Sequence, residues 1–204
     1  MSEDHYRPPH KGKLLVIEGI DASGKETQTG LLHMKLQKIG AVRFDFPNYN
    51  NHTGRFIKEV MTREFISYHD EAWAQLLAAN RSEDKEELLN SLRFTNVVCN
   101  RYYISNMVYS TASGLNTQWL SSLDSQMPKP DIVIILDIPA KVSAQRKSKR
   151  DFIESDIIYL EKVRQTYVNL ASTMGWYVIG GDRGPQEVHQ DILKIVSQEF
   201  NWNI

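Results

Sequence analysis

Cysteine is nearly absent: Cys99 is the one example in 204 residues. An internal disulfide is therefore excluded, and a reducing, cytoplasmic setting is expected. Neither sign of charge is in excess, with 24 Lys and Arg against 25 Asp and Glu and a formal charge of −1. A nonspecific nucleic-acid coat needs a broad positive field, so no nucleic-acid partner is expected. No uncharged apolar run approaches the ~20 residues of a membrane-crossing helix. The opening MSEDHYRPPHKGK also lacks the apolar stretch of a secretory leader. The expectation is a soluble protein with no membrane partner. What is present, 41% hydrophobic and 10% aromatic residues, suffices for a core. The length exceeds the ~150 residues of a typical domain but falls well short of two.

No repeat, low-complexity tract or linker interrupts the chain. Residues 1–12 are polar, contain Pro8 and Pro9, and read as a flexible tail whose His5 and His10 are solvated. Residues 13–204 then read as a single domain. Short apolar runs predict strands at Lys13–Glu18, Ala41–Phe46, Phe94–Cys99, Asp131–Leu136 and Trp176–Ile179. Helical patterns fall between them: Lys25–Lys38, Gly54–Met61, Asp70 to about Asn90 (one helix, or two divided near Ser82), a span toward Ser113, and Pro185–Phe200. Alternation of this kind predicts right-handed crossovers and a mostly parallel sheet covered on both faces, a three-layer α/β architecture. Ligands then gather at the carboxyl ends of the strands.

One constellation there carries chemistry. Gly19-Ile20-Asp21-Ala22-Ser23-Gly24-Lys25 is a G-x-x-x-x-G-K loop between the first strand and the following helix. Its glycines let backbone N–H groups turn inward around phosphate oxygens, the helix N-terminus adds partial positive charge, and Lys25 reaches the terminal phosphates. The hydroxyl residue that usually follows, a Mg²⁺ ligand, is replaced by Glu26, with Thr27 one place later. Either Glu26 points away, leaving the metal to phosphates and water, or its carboxylate enters the metal shell.

The loop reads E-G-I-D-A-S-G-K-E-T-Q and resembles that of thymidylate kinases, within the nucleoside monophosphate kinase group of P-loop proteins. Further landmarks occur in that family's order: Phe46-Pro47 with Thr53-Gly54, Leu77 to Arg81, Asn100-Arg101-Tyr102 with Ser105 and Tyr109, Pro128 to Asp131, Arg146 to Asp151, and Lys162 to Tyr167. The resemblance spans about Lys13 to Val196. It implies the P-loop kinase fold, a five-stranded parallel sheet with helices on both faces, and transfer of phosphate from ATP, with Mg²⁺, to dTMP. A homodimer packed through helices is also implied, with the apolar Trp73–Leu77 stretch contributing.

The resemblance also implies roles for particular residues. Gly19, Ala22, Ser23, Gly24, Lys25, Glu26 and Thr27 would hold the donor's phosphates, with Arg146 and Asp182 near its adenine. Arg101 would grip the acceptor phosphate, which suits a guanidinium because it binds oxyanions bidentately and keeps its charge. Arg81 would bond the base, although pairing with Glu83 or Asp84 is an equally simple reading. Asp21 would meet the deoxyribose 3′-hydroxyl, while Phe46, Tyr102, Ser105 and Tyr109 complete the acceptor site. The usual stacking aromatic four positions before Arg81 is Leu77 here, so base stacking is expected to be weakened or supplied by Phe46. Asn100 stands where relatives usually carry Asp, which with Glu26 suggests one carboxylate moved toward the metal. The positive run after the fourth strand reads as a lid at about 143–155, with Arg150 as the cation on the transferring group. Uracil is a possible second base. A kinase for another small acceptor, or a nucleotide-binding protein without catalysis, are the rival readings.

Overall fold

The protein is described here from a computed structural model, covering residues 11–62, 69–146 and 154–204. Five strands, β1 (Leu14–Glu18), β2 (Ala41–Asp45), β3 (Asn96–Asn100), β4 (Ile132–Asp137) and β5 (Tyr177–Gly180), form one parallel sheet in the order β2-β3-β1-β4-β5. All ladders are parallel, with Ile17 opposite Asn100 on one side of β1 and Ile134 on the other. The helices are α1 (Lys25–Leu36), α2 (His52–Thr62), α3 (Asp70–Glu83), α4 (Lys85–Phe94), α5 (Tyr103–Ser113), α6 (Thr117–Leu123), α7 (Ala140–Arg146), α8 (Glu154–Met174) and α9 (Pro185–Phe200).

Side chains of a strand alternate between faces, and the central strands are apolar on both. Leu14 and Val16 of β1, Val97 and Cys99 of β3, and Val133 and Ile135 of β4 pack on one face with Ile104 and Val108 of α5 and Val163 and Tyr167 of α8. Leu15 and Ile17, Val98, and Ile134 and Leu136 pack on the other with Leu32 and Leu36 of α1 and Val188, Ile192 and Val196 of α9. The last three recur every four residues, one stripe of a helix that begins with Pro185 at its first position. Cys99 is fully buried, and loss of solvent pushes its thiol well above its usual range. It is core.

The sequence places all five strands within two residues at each end. The deviations have local causes. Phe94 closes α4 instead of opening β3 and is 84% exposed. The helix read from Lys25 to Lys38 stops at Leu36 and finishes as a 3₁₀ turn at Gln37–Ile39, closed by left-handed Gly40. The long helical span divides at Asp84, whose carboxylate accepts from Asn48 and Asn51 and so anchors the junction of α3 and α4 to the loop after β2. Of the proposed tail, Gly12 already donates to Leu92 O. Residues 1–10, and within the expected lid residues 147–153 including Arg150, lie outside the described residues.

Candidate active site

β1 is the switch point of the sheet: its neighbours β3 and β4 continue in opposite directions, which opens a crevice at the carboxyl ends. The glycine-rich loop fills it. Gly19 adopts φ +140°, and a Cβ there would stand 2.5 Å from Leu136 O, so only glycine lets the loop leave β1 beside β4. Gly24, at φ +98°, caps α1 with nothing near the place a Cβ would take. Ala22 is also left-handed, at φ +54°. Its neighbours hold it there: Ser143 Oγ donates to Asp21 O at 2.7 Å and Arg146 Nη1 to Ala22 O at 3.2 Å. Gly181, just past β5, approaches so closely that a Cβ would lie 3.2 Å from Ser23 O.

Lys25 is buried and donates from Nζ to Ile20 O at 2.6 Å, which folds the ammonium over the loop. Ser23 Oγ is buried without a partner among the described residues. An orphaned hydroxyl, a buried ammonium and an open helix N-terminus are the features a phosphate chain would complete. Arg146 Nη2 reaches both Gly181 O and Asp182 Oδ1 at 3.2 Å, so the two residues expected beside the adenine adjoin the loop and each other. Thr27 is exposed on the first turn of α1.

The half expected to take the acceptor lies across the same gap. Arg101 follows β3 with φ +64°, its N–H bonded to Ile17 O at 3.0 Å. Such backbone costs on the order of 1 to 3 kcal/mol and persists where the surroundings over-determine it. The guanidinium donates from Nη2 to Asp21 of the loop and from Nη1 to Ser105 Oγ at 3.2 Å, and lies 5.7 Å from the Tyr109 ring centroid. Burial opposes its charge, but Asp21 and Glu18 help to hold the pKa above its usual value. Tyr109 itself donates to Asp21 at 3.4 Å. Arg101 and the Lys25 loop thus share one edge of the sheet.

Beside Arg101 a cavity of about 290 Å³ is lined by Phe46, Trp73, Leu77, Arg81, Asn106 and Tyr109, among others. Trp73, Leu77 and Arg81 recur every four residues on α3 and form its wall. The stretch expected at a dimer face is therefore turned, in part, to the cavity. That spacing was available in the sequence. Asn106 also lines it, as does Tyr49, which no motif in the sequence marks. Asn106 Nδ2 is bonded to Ala74 O at 2.9 Å.

Three of the expected site residues have partners that the sequence did not suggest. Arg81 pairs with neither Glu83 nor Asp84: Nε and Nη2 each donate to Asp124 at 2.7 Å, both side chains are buried, and Nη1 takes no part. Tyr102 donates its hydroxyl to Pro128 O at 3.1 Å, so only its ring borders the cavity, packed 5.6 Å from Phe46. Glu26, the candidate metal ligand, accepts from Arg43 Nη2 at 2.6 Å on Oε1 and from Asn100 Nδ2 at 2.9 Å on Oε2. Arg43 also forks onto Asp45, at 2.8 and 2.6 Å, and these bonds raise its pKa further. The guanidinium between the two carboxylates offsets one of their charges and occupies Oε1 of Glu26, so less is left for a cation. Among the described residues no three His, Cys, Asp or Glu side chains gather as a metal site.

The comparisons with known proteins agree with this geometry. The family model for thymidylate kinase matches residues 17–192. A probable thymidylate kinase of Pyrococcus abyssi is 36% identical over 203 residues, covering 93% of this chain and 98% of that one. The thymidylate kinase of Plasmodium falciparum is 33% identical, covering 94% and 96%. Among solved structures, the thymidylate kinase of Candida albicans has the same fold, with a TM-score of 0.76 over 95% of both chains at 23% identity. The chain belongs to the thymidylate kinase family.

Proposed function

We propose that this chain transfers the terminal phosphoryl group of ATP to dTMP, yielding ADP and dTDP. The observation that carries the reading is the bond from Arg101 Nη2 to Asp21, because it brings the acceptor cation against the donor loop. A phosphate oxygen of dTMP, held in the fork of Arg101, attacks the γ-phosphorus, and the bond from that phosphorus to the β,γ-bridging oxygen breaks. The transition state is loose and anionic, so positioning and charge supply most of the acceleration. Lys25 releases Ile20 O to meet the terminal phosphates, and the loop amides and α1 N-terminus hold the rest. In this reading Asp21 takes the deoxyribose 3′-hydroxyl and Arg81 donates to the base. Since Glu26 is engaged by Arg43 and Asn100, a Mg²⁺ ion would rest on donor phosphates and water, where it would offset developing charge.

The family resemblance makes Arg150 the cation that completes the site. Arg150→Ala is expected to lower turnover by about 10³ while leaving the KM for dTMP within a few fold; equal losses in both would remove Arg150 from that role. Specificity is tested by coupled ADP release with a panel of nucleoside monophosphates. We expect dTMP to be used best and dUMP next. Release with thymidine but not dTMP would indicate a nucleoside kinase, and no release with any acceptor a binding protein. A homodimer and a cytoplasmic location extend the same reading, the former checked by analytical ultracentrifugation.

A further inference from the structure

Glu18 is a fully buried carboxylate that the phosphate-transfer scheme does not use. Glu18 ends β1 with no exposed surface, yet it forms four hydrogen bonds. Its Oε1 accepts from the backbone N–H of Tyr102 at 2.8 Å and of Ser105 at 3.1 Å. These groups lie at the open N-terminus of α5, where an anion is favoured and where the cap residue, Tyr102, offers no side-chain bond. Its Oε2 accepts from Ser105 Oγ and from Tyr167 OH of α8, the latter at 2.8 Å.

The consequence reaches Arg101 through one proton. A serine hydroxyl has a single hydrogen. At Ser105 that hydrogen points to a carboxylate able only to accept, so the lone pairs of Oγ are left to accept, from Arg101 Nη1 at 3.2 Å and from Tyr167 OH, which lies 3.2 Å away. With Nη2 on Asp21, both ends of the fork are held. Resting on the reading that Arg101 binds the acceptor phosphate, we propose that buried Glu18 is a positioning residue of the acceptor site, which fixes the Ser105 hydroxyl as a hydrogen-bond acceptor and thereby aims the Arg101 fork at the phosphate of the nucleoside monophosphate. Glu18 touches no substrate.

Glu18→Gln inverts that polarity with little change of shape. The two backbone N–H groups require the amide oxygen on their side, which turns the amide NH₂ toward Ser105 and Tyr167. Ser105 then accepts from Gln, which takes a lone pair that served Arg101, and its own hydrogen is left between Tyr167 OH and a guanidinium that has only donors to offer. We expect the KM for dTMP to rise about tenfold, more than the loss of the Arg101–Ser105 bond alone would cause because the hydroxyl is also turned against the guanidinium, with the KM for ATP unchanged. Adding Ser105→Ala removes the misdirected hydroxyl, so Glu18→Gln/Ser105→Ala is expected to recover to the dTMP KM of Ser105→Ala alone. A purely structural role for Glu18 predicts no such rescue. An unchanged dTMP KM in Glu18→Gln, or a double variant no better than Glu18→Gln, overturns the proposal. If Glu18→Gln fails to fold, Ser105→Ala carries the test by itself. It should raise the dTMP KM several fold and spare that for ATP, Ser105→Thr should restore it, and a wild-type KM in Ser105→Ala sinks the idea. Arg101→Ala is measured alongside. Should it leave the dTMP KM unchanged, the assignment of Arg101 itself fails, whereas an effect there without one at Glu18 removes the present inference only.

Discussion

Arg81 and Asp124 place opposite charges side by side in the interior, and their geometry divides one guanidinium between two tasks. Nε and Nη2 satisfy the carboxylate, while the same residue lines the cavity beside Arg101. Removing one member of a buried pair strands the other without solvent, which typically costs about 3–5 kcal/mol. Asp124→Ala is therefore expected to lose about that much in urea denaturation, and also to raise the KM for dTMP. Asp124→Asn should do less harm to stability, since it still accepts from one nitrogen. A loss under 1 kcal/mol for Asp124→Ala would mean that water reaches the site. At this scale the sequence was legible where chemistry is local. The loop glycines and Lys25 announce themselves by spacing, and Trp73, Leu77 and Arg81 share a helix face. It was illegible where a partner is remote: nothing in the neighbourhood of Arg81 points 43 residues ahead to Asp124, and Glu83 and Asp84 offered nearer carboxylates.

Those two nearby acids instead work between elements. Glu83, at the end of α3, accepts from the N–H groups of His52 and Thr53 and from Thr53 Oγ1, so a side chain of one helix caps the first turn of another. The Thr53 and His52 bonds lower the pKa of Glu83 from its usual 4.5 to about 2. A carboxylate with a depressed pKa contributes its stability above the unfolded value and loses it as pH falls toward the folded one. The amide protection of His52 and Thr53 should thus be level above pH 4.5 and decline between there and pH 2. Glu83→Gln should show weakened protection at neutral pH and no decline in that interval. Hydrogen exchange followed by NMR reads both, and an acid response surviving in Glu83→Gln would assign it to another group. The same loop explains why the boundary between α3 and α4 falls at Asp84 and not Ser82. Helix propensity runs on through Glu83 and Lys85, and the break is set by Asn48 and Asn51, which claim the Asp84 carboxylate from outside the helix.

For the whole molecule, class and order differ in how they are encoded. Alternating apolar runs and helical spans identify a parallel sheet because each strand carries its own signal. The order β2-β3-β1-β4-β5 depends on pairings such as Leu14 with Val97 and Leu15 with Ile132, which no local pattern specifies. That order nevertheless decides function, since it puts the loop after β1 and the arginine after β3 at adjacent strand ends. Two ligand sites on different elements of one cooperative sheet should stabilise it separately. A ligand at 100 times its Kd adds about 2.7 kcal/mol to the folded state, which for a chain of this size raises Tm by roughly 5–10 °C. We expect dTMP to produce such a shift, and a nonhydrolysable ATP analogue to produce its own. At the same concentrations Arg101→Ala should lose most of the dTMP shift and keep the analogue's, while Lys25→Ala does the reverse. The bond between Arg101 and Asp21 makes the separation incomplete, because freeing Asp21 alters the donor loop. The analogue's shift in Arg101→Ala should accordingly fall by a small part of its value. If dTMP raises the Tm of Arg101→Ala as much as that of the parent chain, the acceptor phosphate is bound elsewhere, and the crevice beside β1 serves the donor alone.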